Sequence, residues 1–568
     1  MLFYCYSEIG DSTIESRLGD ADYSYYFVLK AYLPLLEKLG ETRVIEAIDE
    51  GFLADCRRET ENGRQCYLLA FAPPHKIPFE IPCPTIPVFA WEYSSIPNRE
   101  FISDPQDSWC YALEHFGQAL THSSYAMDVV RNDIGPDYPI ESVPAPLWDN
   151  WAALRAEAPS RTPVKDLTLT LGTAVIDSKD FAINSESIAP ASQVARPPGG
   201  NAGDTESCHN LDIEFGEMNP DVWMVGFYPP EGWGAWSKTT SPWIMLPSVV
   251  SGEVRLVIAL NGHAGNIGKD IQVQIGDQCV TLQPQLEISE YEFELNVTQP
   301  SNFVMFKGLD TTAERSIVDP RTIAIGLARI AIESKSNPPT EAAPKLNTVE
   351  HKLKLNGVVY TSILNPRDGR KNWEDILTAY CQAFQDREDV TLILKMTYND
   401  MSGYLEDVFA LLCQLHPFKC RIVVVHGYIS GAEYRALISA TSYIVNASRS
   451  EGQCLPLMEY MSCGVPAITP DNTAMADYAN TDNAFIVDSS PEPHYWPHDP
   501  QQVFTTLWYR PNWETLFQAY QDSYTVANTD PERYQRMSRA AWESQHAFCS
   551  SEALLPRLQS LLSRIGKE

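Results

Sequence analysis

Two glutamates, Glu451 and Glu459, stand eight positions apart in SRSEGQCLPLMEYMSCGVPAI (448–468). A carboxylate only accepts hydrogen bonds, and its two oxygens can hold both hydroxyls of a ribose or two neighbouring hydroxyls of a hexose. SYIVNAS (442–448) reads as a strand, RSEGQC as the loop leaving it, and LPLMEYMSCG as a helix with Pro456 in its first turn and Gly464 as its stop. That places Glu451 in the loop and Glu459 in the first helical turn, whose free N–H groups can receive a phosphate or a sugar hydroxyl. The arrangement suits a nucleotide sugar, with one acid for the ribose, one for the transferred ring, and backbone amides between them. Upstream, NPRDGRKNW (365–373) sets Arg367, Arg370 and Lys371 within five residues, three cations able to offset a diphosphate. Taken singly, each group also has a plain reading: Glu459 as a helix-dipole acid, Glu451 as a solvated loop residue, the cations as a solvated run.

Loops of this kind need sheets to hold them. From about residue 346, LNGVVYTSIL, VTLILKM, CRIVVVHG and SYIVNAS read as strands, separated by the helical patterns NWEDILTAYCQAFQ, SGYLEDVFALLCQLH and SGAEYRALISA. Residues 1–155 alternate in the same way. LFYCYSE, QCYLLAFA and IPVFAWEY are strands, and YSYYFVLKAYLPLLEKLG is a helix closed by Gly40. WCYALEHFGQALTHSSYAMDVVRNDIG is helix, short buried segment (119–123) and helix. Alternation of this type implies two Rossmann-like parallel-sheet units covered on both faces, with ligands at the carboxyl ends of the strands and a cleft between the units.

Residues 156–345 differ. APASQVARPPGGNAGDTES (189–207) reads as a linker, and VRLVIAL, IQVQIG, YEFELNV, FVMFKGL and IAIGLARIAI are short alternating runs at hairpin spacing. An inserted β-sandwich or jelly roll is expected. Tryptophan, Asn and Gly gather in EGWGAWSKTTSPW and NGHAGNIG, a composition that serves either to bind sugar rings or to pack a sandwich. The rest of the C-terminal region, 346–568, ends in a helical tail.

Composition bounds the partners. The 568 residues are 44% hydrophobic and 20% charged, ordinary for a globular chain, and carry a formal net charge of −32. So acidic a chain is not expected to bind nucleic acid, and membrane contact should be peripheral at most. The start shows neither a signal peptide nor a long apolar run. Thirteen cysteines without a C-x-x-C pair fit free thiols in a reducing cytoplasm.

EGQCLPLMEYMSCGVPAI resembles the E-x7-E signature of the retaining glycosyltransferases of family four, which have the two-Rossmann GT-B fold. Glu451, Gly452, Leu455, Pro456, Glu459, Met461, Cys463, Gly464 and Pro466 fall in register. The resemblance implies that Glu451 lies beside the donor sugar and Glu459 holds the ribose. Gly452, Gln453, Cys454 and Leu455 would complete the donor loop, with Gln453-Cys454 standing where the family has Phe-Gly. VVYTSILNPRDGRKNWEDILTAY resembles the family's first C-domain strand and basic loop, which puts Lys371 on the diphosphate. Asn365 occupies a position where the family often has arginine, and either Arg367 or Arg370 takes that part. PVFAWEYSSIP and LTHSSYAMDVVRN resemble acceptor-domain segments. Trp91-Glu92 stands where many members carry a histidine, so Glu92 either meets the acceptor hydroxyl or is a strand-end acid.

The likeness covers 1–155 and 346–568. It implies retaining transfer of a hexosyl or deoxyhexosyl group from a nucleotide diphosphate sugar to a growing glycan, without metal or cofactor. The setting it implies is bacterial surface-polysaccharide assembly on a glycan or lipid-linked glycan acceptor, in the cytoplasm or at the inner face of the membrane. Two other functions stay open: a nucleotide-sugar epimerase or hydrolase on the same fold, and a non-catalytic glycan-binding scaffold.

Overall fold

The computed structural model describes the chain except residues 11–12, 15–16, 18, 20–21, 99–104, 158–159, 185–187, 191–209, 218, 220–221, 312–320, 336–350, 399–401, 497–498, 500–501, 503–504 and 566–568. Most of the expected linker, 191–207, lies outside the described residues.

The N-terminal unit runs β1 (Leu2–Ser7), α1 (Tyr23–Leu36), β2 (Glu41–Ile45), α2 (Glu50–Glu61), β3 (Cys66–Phe71), β4 (Thr85–Phe89), α3 (Trp109–Phe116), β5 (Ala119–Thr121), α4 (Ser124–Ile134), β6 (Ile140–Ser142) and the short α5 (Ala152–Glu157). Its six strands are parallel, in the order β2-β1-β3-β4-β5-β6. The inner strands β3 and β4 are buried throughout, as a sheet covered on both faces requires. Edge strand β2 is half exposed and lacks an apolar run, so nothing in its local pattern marks it. The strand expected over IPVFAWEY stops at Phe89; Ala90, Trp91 and Glu92 leave the sheet toward the cleft.

Next come β7 (Val164–Leu171), β8 (Ala174–Asp177) and a small hairpin, β9 (Phe181–Ile183) with β10 (Ile188–Pro190). An antiparallel β domain follows: β11 (Asn210–Glu214), β12 (Trp223–Val225), β13 (Ala235–Trp236), β14 (Trp243–Gly262), β15 (Ile271–Ile275), β16 (Gln278–Leu282), β17 (Ser289–Lys307) and β18 (Ile325–Ser334). All eight strands share one hydrogen-bonded sheet, and register shifts between Met245 and Gly252 break the long β14–β17 pairing. Ile244, Leu246, Leu256, Ile258 and Leu260 of β14 bury into one cluster with Val273, Phe306 and Ile330. These residues form the core of the domain, built on a single sheet rather than on the two stacked sheets expected of a sandwich. Trp243, one of the aromatics in the Trp-rich stretch, is fully buried. It donates to the Ile188 carbonyl at 2.7 Å and packs with Trp223 toward Phe409, which makes it part of the seat of the domain.

The C-terminal unit comprises β19 (His351–Leu364), α6 (Trp373–Ala383), β20 (Val390–Met396), α7 (Ser402–Leu415), β21 (Arg421–His426), α8 (Gly431–Ala440), β22 (Tyr443–Val445), α9 (Leu455–Ser462), β23 (Ala467–Thr469), β24 (Ala484–Ile486), the hairpin β25 (Ser489–Tyr495) with β26 (Thr505–Pro511), and α10 (Trp513–Thr529), α11 (Pro531–Cys549) and α12 (Ser551–Ile565). Its parallel strands run β24-β23-β22-β19-β20-β21. Residues 164–177, which fall by composition with the β region, add β7 and β8 to this sheet as antiparallel partners of β19 and β21. The reason lies in β19 itself. HKLKLNG alternates exposed lysines with buried Leu353 and Leu355, as a half-covered antiparallel strand does, while VVYTSIL is almost continuously buried. Gly357 separates the halves at φ +78°, with the Asp389 carbonyl so near that a β-carbon has no room.

The tail returns to the first unit. Ser551 N–H donates to Asp149 at 2.7 Å, Arg564 pairs with Glu141 at 2.8 Å, and Leu554, Leu558 and Leu561 join the same buried cluster as Val143 and Ala145. Two parallel α/β units are thus locked together around a cleft, with the β domain inserted in sequence within the second, between β8 and β19. No described helix is long and apolar enough to cross a membrane, and the twelve described cysteines are all free.

Candidate active site

In the C-terminal sheet the strand order reverses between β19 and β22, and the loops leaving their carboxyl ends diverge to leave a crevice. One of those loops is 365–372 and the other 446–454, so the basic run and the first glutamate meet there. Lys371 Nζ lies 2.6 Å from Glu451 Oε1, and Arg370 is 3.7 Å from the same carboxylate. The loops are also tied by backbone: Arg449 N–H donates to the Arg370 carbonyl at 2.8 Å, and Arg370 donates to the Ser450 carbonyl at 3.0 Å. Asp368 accepts from the Arg370 N–H and pairs with its guanidinium at 2.9 Å, fixing the turn that aims both cations inward.

The N-terminal unit closes the site. Glu92, just past β4, pairs with Arg370 at 2.7 Å across the cleft. Gly452 packs against Ala90 and Trp91, where a built β-carbon would stand 2.7 Å from the Ala90 β-carbon and 3.1 Å from the Trp91 nitrogen. Gly452→Ala therefore pries the units apart here, an overpacking that costs about 1–3 kcal/mol. Reduced donor affinity with a lowered melting temperature is the expected result, and unchanged values of both would show the approach to be unimportant.

Burial works against every charge in this group, yet opposite neighbours decide the outcome. Glu451, only 4% exposed, would be raised by burial, but Lys371 and Arg370 outweigh that and hold it below the usual carboxylate range. For Lys371 burial acts downward, and Glu451 overcomes it to keep the ammonium charged. Glu92 goes the other way: burial dominates over Arg370, and its carboxyl is raised. The cluster thus holds three firmly charged groups, Glu451, Lys371 and Arg370, and one acid, Glu92, whose carboxyl burial shifts upward.

The remaining candidates divide. Cys454 takes φ +61° as the residue before α9, turning the loop so that Leu455 and Pro456 open the helix. Burial pushes its thiol up. Because α9 starts at Leu455, Glu459 falls beyond the first turn rather than in it. Its carboxyl accepts from the Tyr434 hydroxyl, and burial pushes it up to about 7 against that hydrogen bond. Gln453 is 5% exposed, and neither atom of its side-chain amide has a partner among the described residues, a costly state for a buried amide. Asn365 donates to the Gly19 carbonyl at 2.8 Å, binding the loop after β1 to this one. Arg367 is exposed and lies over the Tyr398 ring, 5.7 Å from its centroid, so Arg370 and not Arg367 reaches the acids.

Sequence reasoning did not single out three further features. His122 follows β5 and is fully buried; its Nδ1 lies 3.1 Å from the Val143 carbonyl, and Nε2 has no partner among the described residues. Burial pushes it down to about 4, which leaves the ring neutral. A histidine directly after an apolar strand was the available signal. Two residues on, Ser124 binds Asp477 of the opposite unit through its backbone N–H at 2.8 Å. The hairpin β25–β26 roofs the cleft: Trp496 donates to the Ser95 carbonyl at 3.1 Å, and Arg449 pairs with Glu492 at 2.9 Å. SSPEPHY has no strand-like pattern, so the sequence hides it. A cavity of about 770 Å³ lined by Asp177, Lys354 and Arg421 lies at the amino ends of the parallel strands, away from this cluster.

Residues 357–494 match the family described as Glycosyl transferases group 1, which covers the crevice, the basic loop and both glutamates. Residues 208–334 match a domain of unknown function, DUF7024. The first match lies wholly within the C-terminal unit and covers less than half of the chain, so it is a likeness of that unit. No curated protein matches. Among solved structures, the pneumococcal O-GlcNAc transferase GtfA in complex with UDP and GlcNAc aligns at 16% identity and TM-score 0.28, over 37% of this chain and 36% of that one. A glycosyltransferase from Rickettsia africae aligns at 13% and 0.28, over 38% of this chain and 49% of that one. Sucrose-phosphate synthase from Thermosynechococcus elongatus aligns at 18% and 0.27, over 36% and 45%. The chain spans between about a third and a half of these structures, and likeness this loose bears no weight beyond the family match and the site.

Proposed function

We propose that the chain is a retaining glycosyltransferase that moves a hexosyl or deoxyhexosyl group from a nucleotide diphosphate sugar to a hydroxyl of a growing glycan. The observation that carries this reading is the buried Lys371–Glu451 pair at the strand-order reversal, faced across the cleft by Glu92 on Arg370. In the reaction the bond between the anomeric carbon and the diphosphate oxygen breaks as the acceptor oxygen bonds to the same face of that carbon. The acceptor proton passes to a diphosphate oxygen. Charge grows on the leaving group, and Lys371, Arg370 and the amides opening α9 are the chain's groups positioned to meet it. Glu451 is freed for the sugar hydroxyls as Lys371 turns to phosphate, Glu459 takes the ribose, and Glu92 orients the acceptor hydroxyl. Gln453, with its amide unsatisfied, has capacity to spare for the donor. Neither metal nor cofactor enters the proposal. An assembly role in surface polysaccharide, with a glycan or lipid-linked glycan acceptor at the cytoplasmic side of the membrane, is its wider form.

A panel of nucleotide sugars and nucleoside diphosphates scored by thermal stabilisation tests it, because a ligand bound only by the folded form at a hundred times its Kd adds about 2.7 kcal/mol. One donor class should raise the melting temperature, and product analysis with acceptor should show the anomeric configuration kept. No stabilisation by any member sinks the reading.

Glu459 adds a pH signature. A ribose needs the ionised carboxylate, whose neutral form persists up to about pH 7. Nucleotide affinity should therefore weaken about tenfold from pH 8 to pH 6, and Glu459→Gln should flatten that profile at the weaker level. The sign for stability is opposite. The unfolded chain ionises this group at the ordinary carboxylate pKa, so between there and pH 7 the folded form binds the extra proton, and its stability falls as pH rises. Titration calorimetry across that range decides; a flat wild-type profile would remove Glu459 from the nucleotide.

A further inference from the structure

We infer that the β domain carries a second sugar-binding site, for a pyranose unit of a glycan, on the corner built by Trp233 and Trp236. Trp236 in β13 and Asn261 in β14 are both register partners of Gly326 in β18, so the three share one face across adjacent strands. Gly326 leaves a notch between its neighbours. Asn261 Oδ1 and the six-membered edge of Trp233 each come to 2.4 Å from where its β-carbon would be, so any side chain there evicts the ring. A strand glycine of this kind marks close approach by a ligand or another group.

Trp233 thus lies across Gly326 as a floor. Trp236 stands against it as a wall, with ring centroids 5.1 Å apart and planes at 71°, and His263 extends the wall at 6.0 Å. Both tryptophans are half-buried. That contrasts with Trp243, which is sealed in the seat of the domain with its N–H donated to protein. Asn261 Oδ1 is buried in the Gly326 notch beneath this floor without a partner among the described residues, and its amide N–H donates to the Leu286 carbonyl at 3.4 Å.

An apolar floor and wall extended by an imidazole match a pyranose, which offers an apolar C–H face and a ring of hydroxyls. The corner is held on the C-terminal unit. Lys238, two residues past Trp236, pairs with Glu406 of α7 at 2.6 Å, and α7 follows the carboxyl end of β20. The site would keep a glycan on the molecule through contacts distinct from the Lys371–Glu451 crevice. It goes beyond the transfer reading and does not depend on it.

The test is saturation-transfer NMR on the full chain without nucleotide, using methyl glycosides of glucose, galactose, mannose and N-acetylglucosamine, plus cellotetraose and maltotetraose. Transfer to the C–H face of at least one probe is expected. Trp233→Ala/Trp236→Ala should weaken binding at least about tenfold, and Glu451→Ala should leave it unchanged. Trp236→Ala alone, which removes the wall and leaves the Trp233 floor in place, keeps the test valid if the double variant misfolds by circular dichroism, and should also weaken binding. Absence of transfer to every probe, equal transfer in the folded corner variants, or loss confined to Glu451→Ala each overturns the assignment.

Discussion

Lys371→Ala is expected to lower transfer about 10²- to 10³-fold, more through kcat than through the donor KM, because the charge it meets is largest in the transition state. The variant also changes its neighbour. Glu451 is held below the carboxylate range by Lys371 ahead of Arg370, against burial, which raises it. With the lysine gone, Arg370 remains at 3.7 Å, and the carboxyl moves up. The activity that survives should therefore increase with pH over a range where wild type is flat. Lys371→Arg should rescue little, since a planar fork does not fit where one ammonium sits 2.6 Å from a buried oxygen. Arg367→Ala is the internal control: exposed and packed on Tyr398, it should change kcat by no more than about threefold. Steady-state kinetics with the donor varied separates these outcomes. A Lys371→Ala enzyme with wild-type kcat would end the assignment.

How much of this was legible in advance follows from what is local. VVYTSIL and RIVVVH could be read as inner strands because both faces of a parallel strand are covered and the apolar run is unbroken. The E-x7-E string and the basic run were legible for a related reason, since each lies on one loop at the end of such a strand. What decides the site, however, is pairing between distant segments. Glu92 on Arg370 joins the two units, and no periodicity in PVFAWEY announces it. The choice between Arg367 and Arg370 depends on a turn capped by Asp368, which the sequence permits without selecting. The left-handed Cys454, a conformation uncommon outside glycine, turns the chain into α9 where the sequence reads it, but Glu459 lies past the first turn that the reading gave it. The β7 partner of β19 lies on the far side of a whole inserted domain, and composition alone assigned it there.

Glu451→Gln is the sharper of the two large effects, because it keeps the shape and removes one charge. Glu451 does most to hold Lys371 above the ordinary lysine range against burial, with Asp368 adding to it, and Arg370 beside it acts in the same direction as burial. Neutralising the acid thus tips the lysine toward losing its proton, and a single substitution disables both halves of the pair. Transfer should fall about 10³-fold, and Glu451→Gln/Lys371→Met should be no worse than Glu451→Gln alone, which is strong non-additivity for residues acting as a unit. Removing one partner of a fully buried pair costs about 3–5 kcal/mol. With the Lys371 side chain 19% exposed, water can reach the ammonium, so the loss should fall at the low end of that range. Denaturant melts give that stability change, and initial rates give the coupling. If the two single losses multiply in the double variant, the acid and the lysine act on separate parts of the reaction, and a shared grip on the donor is no longer tenable.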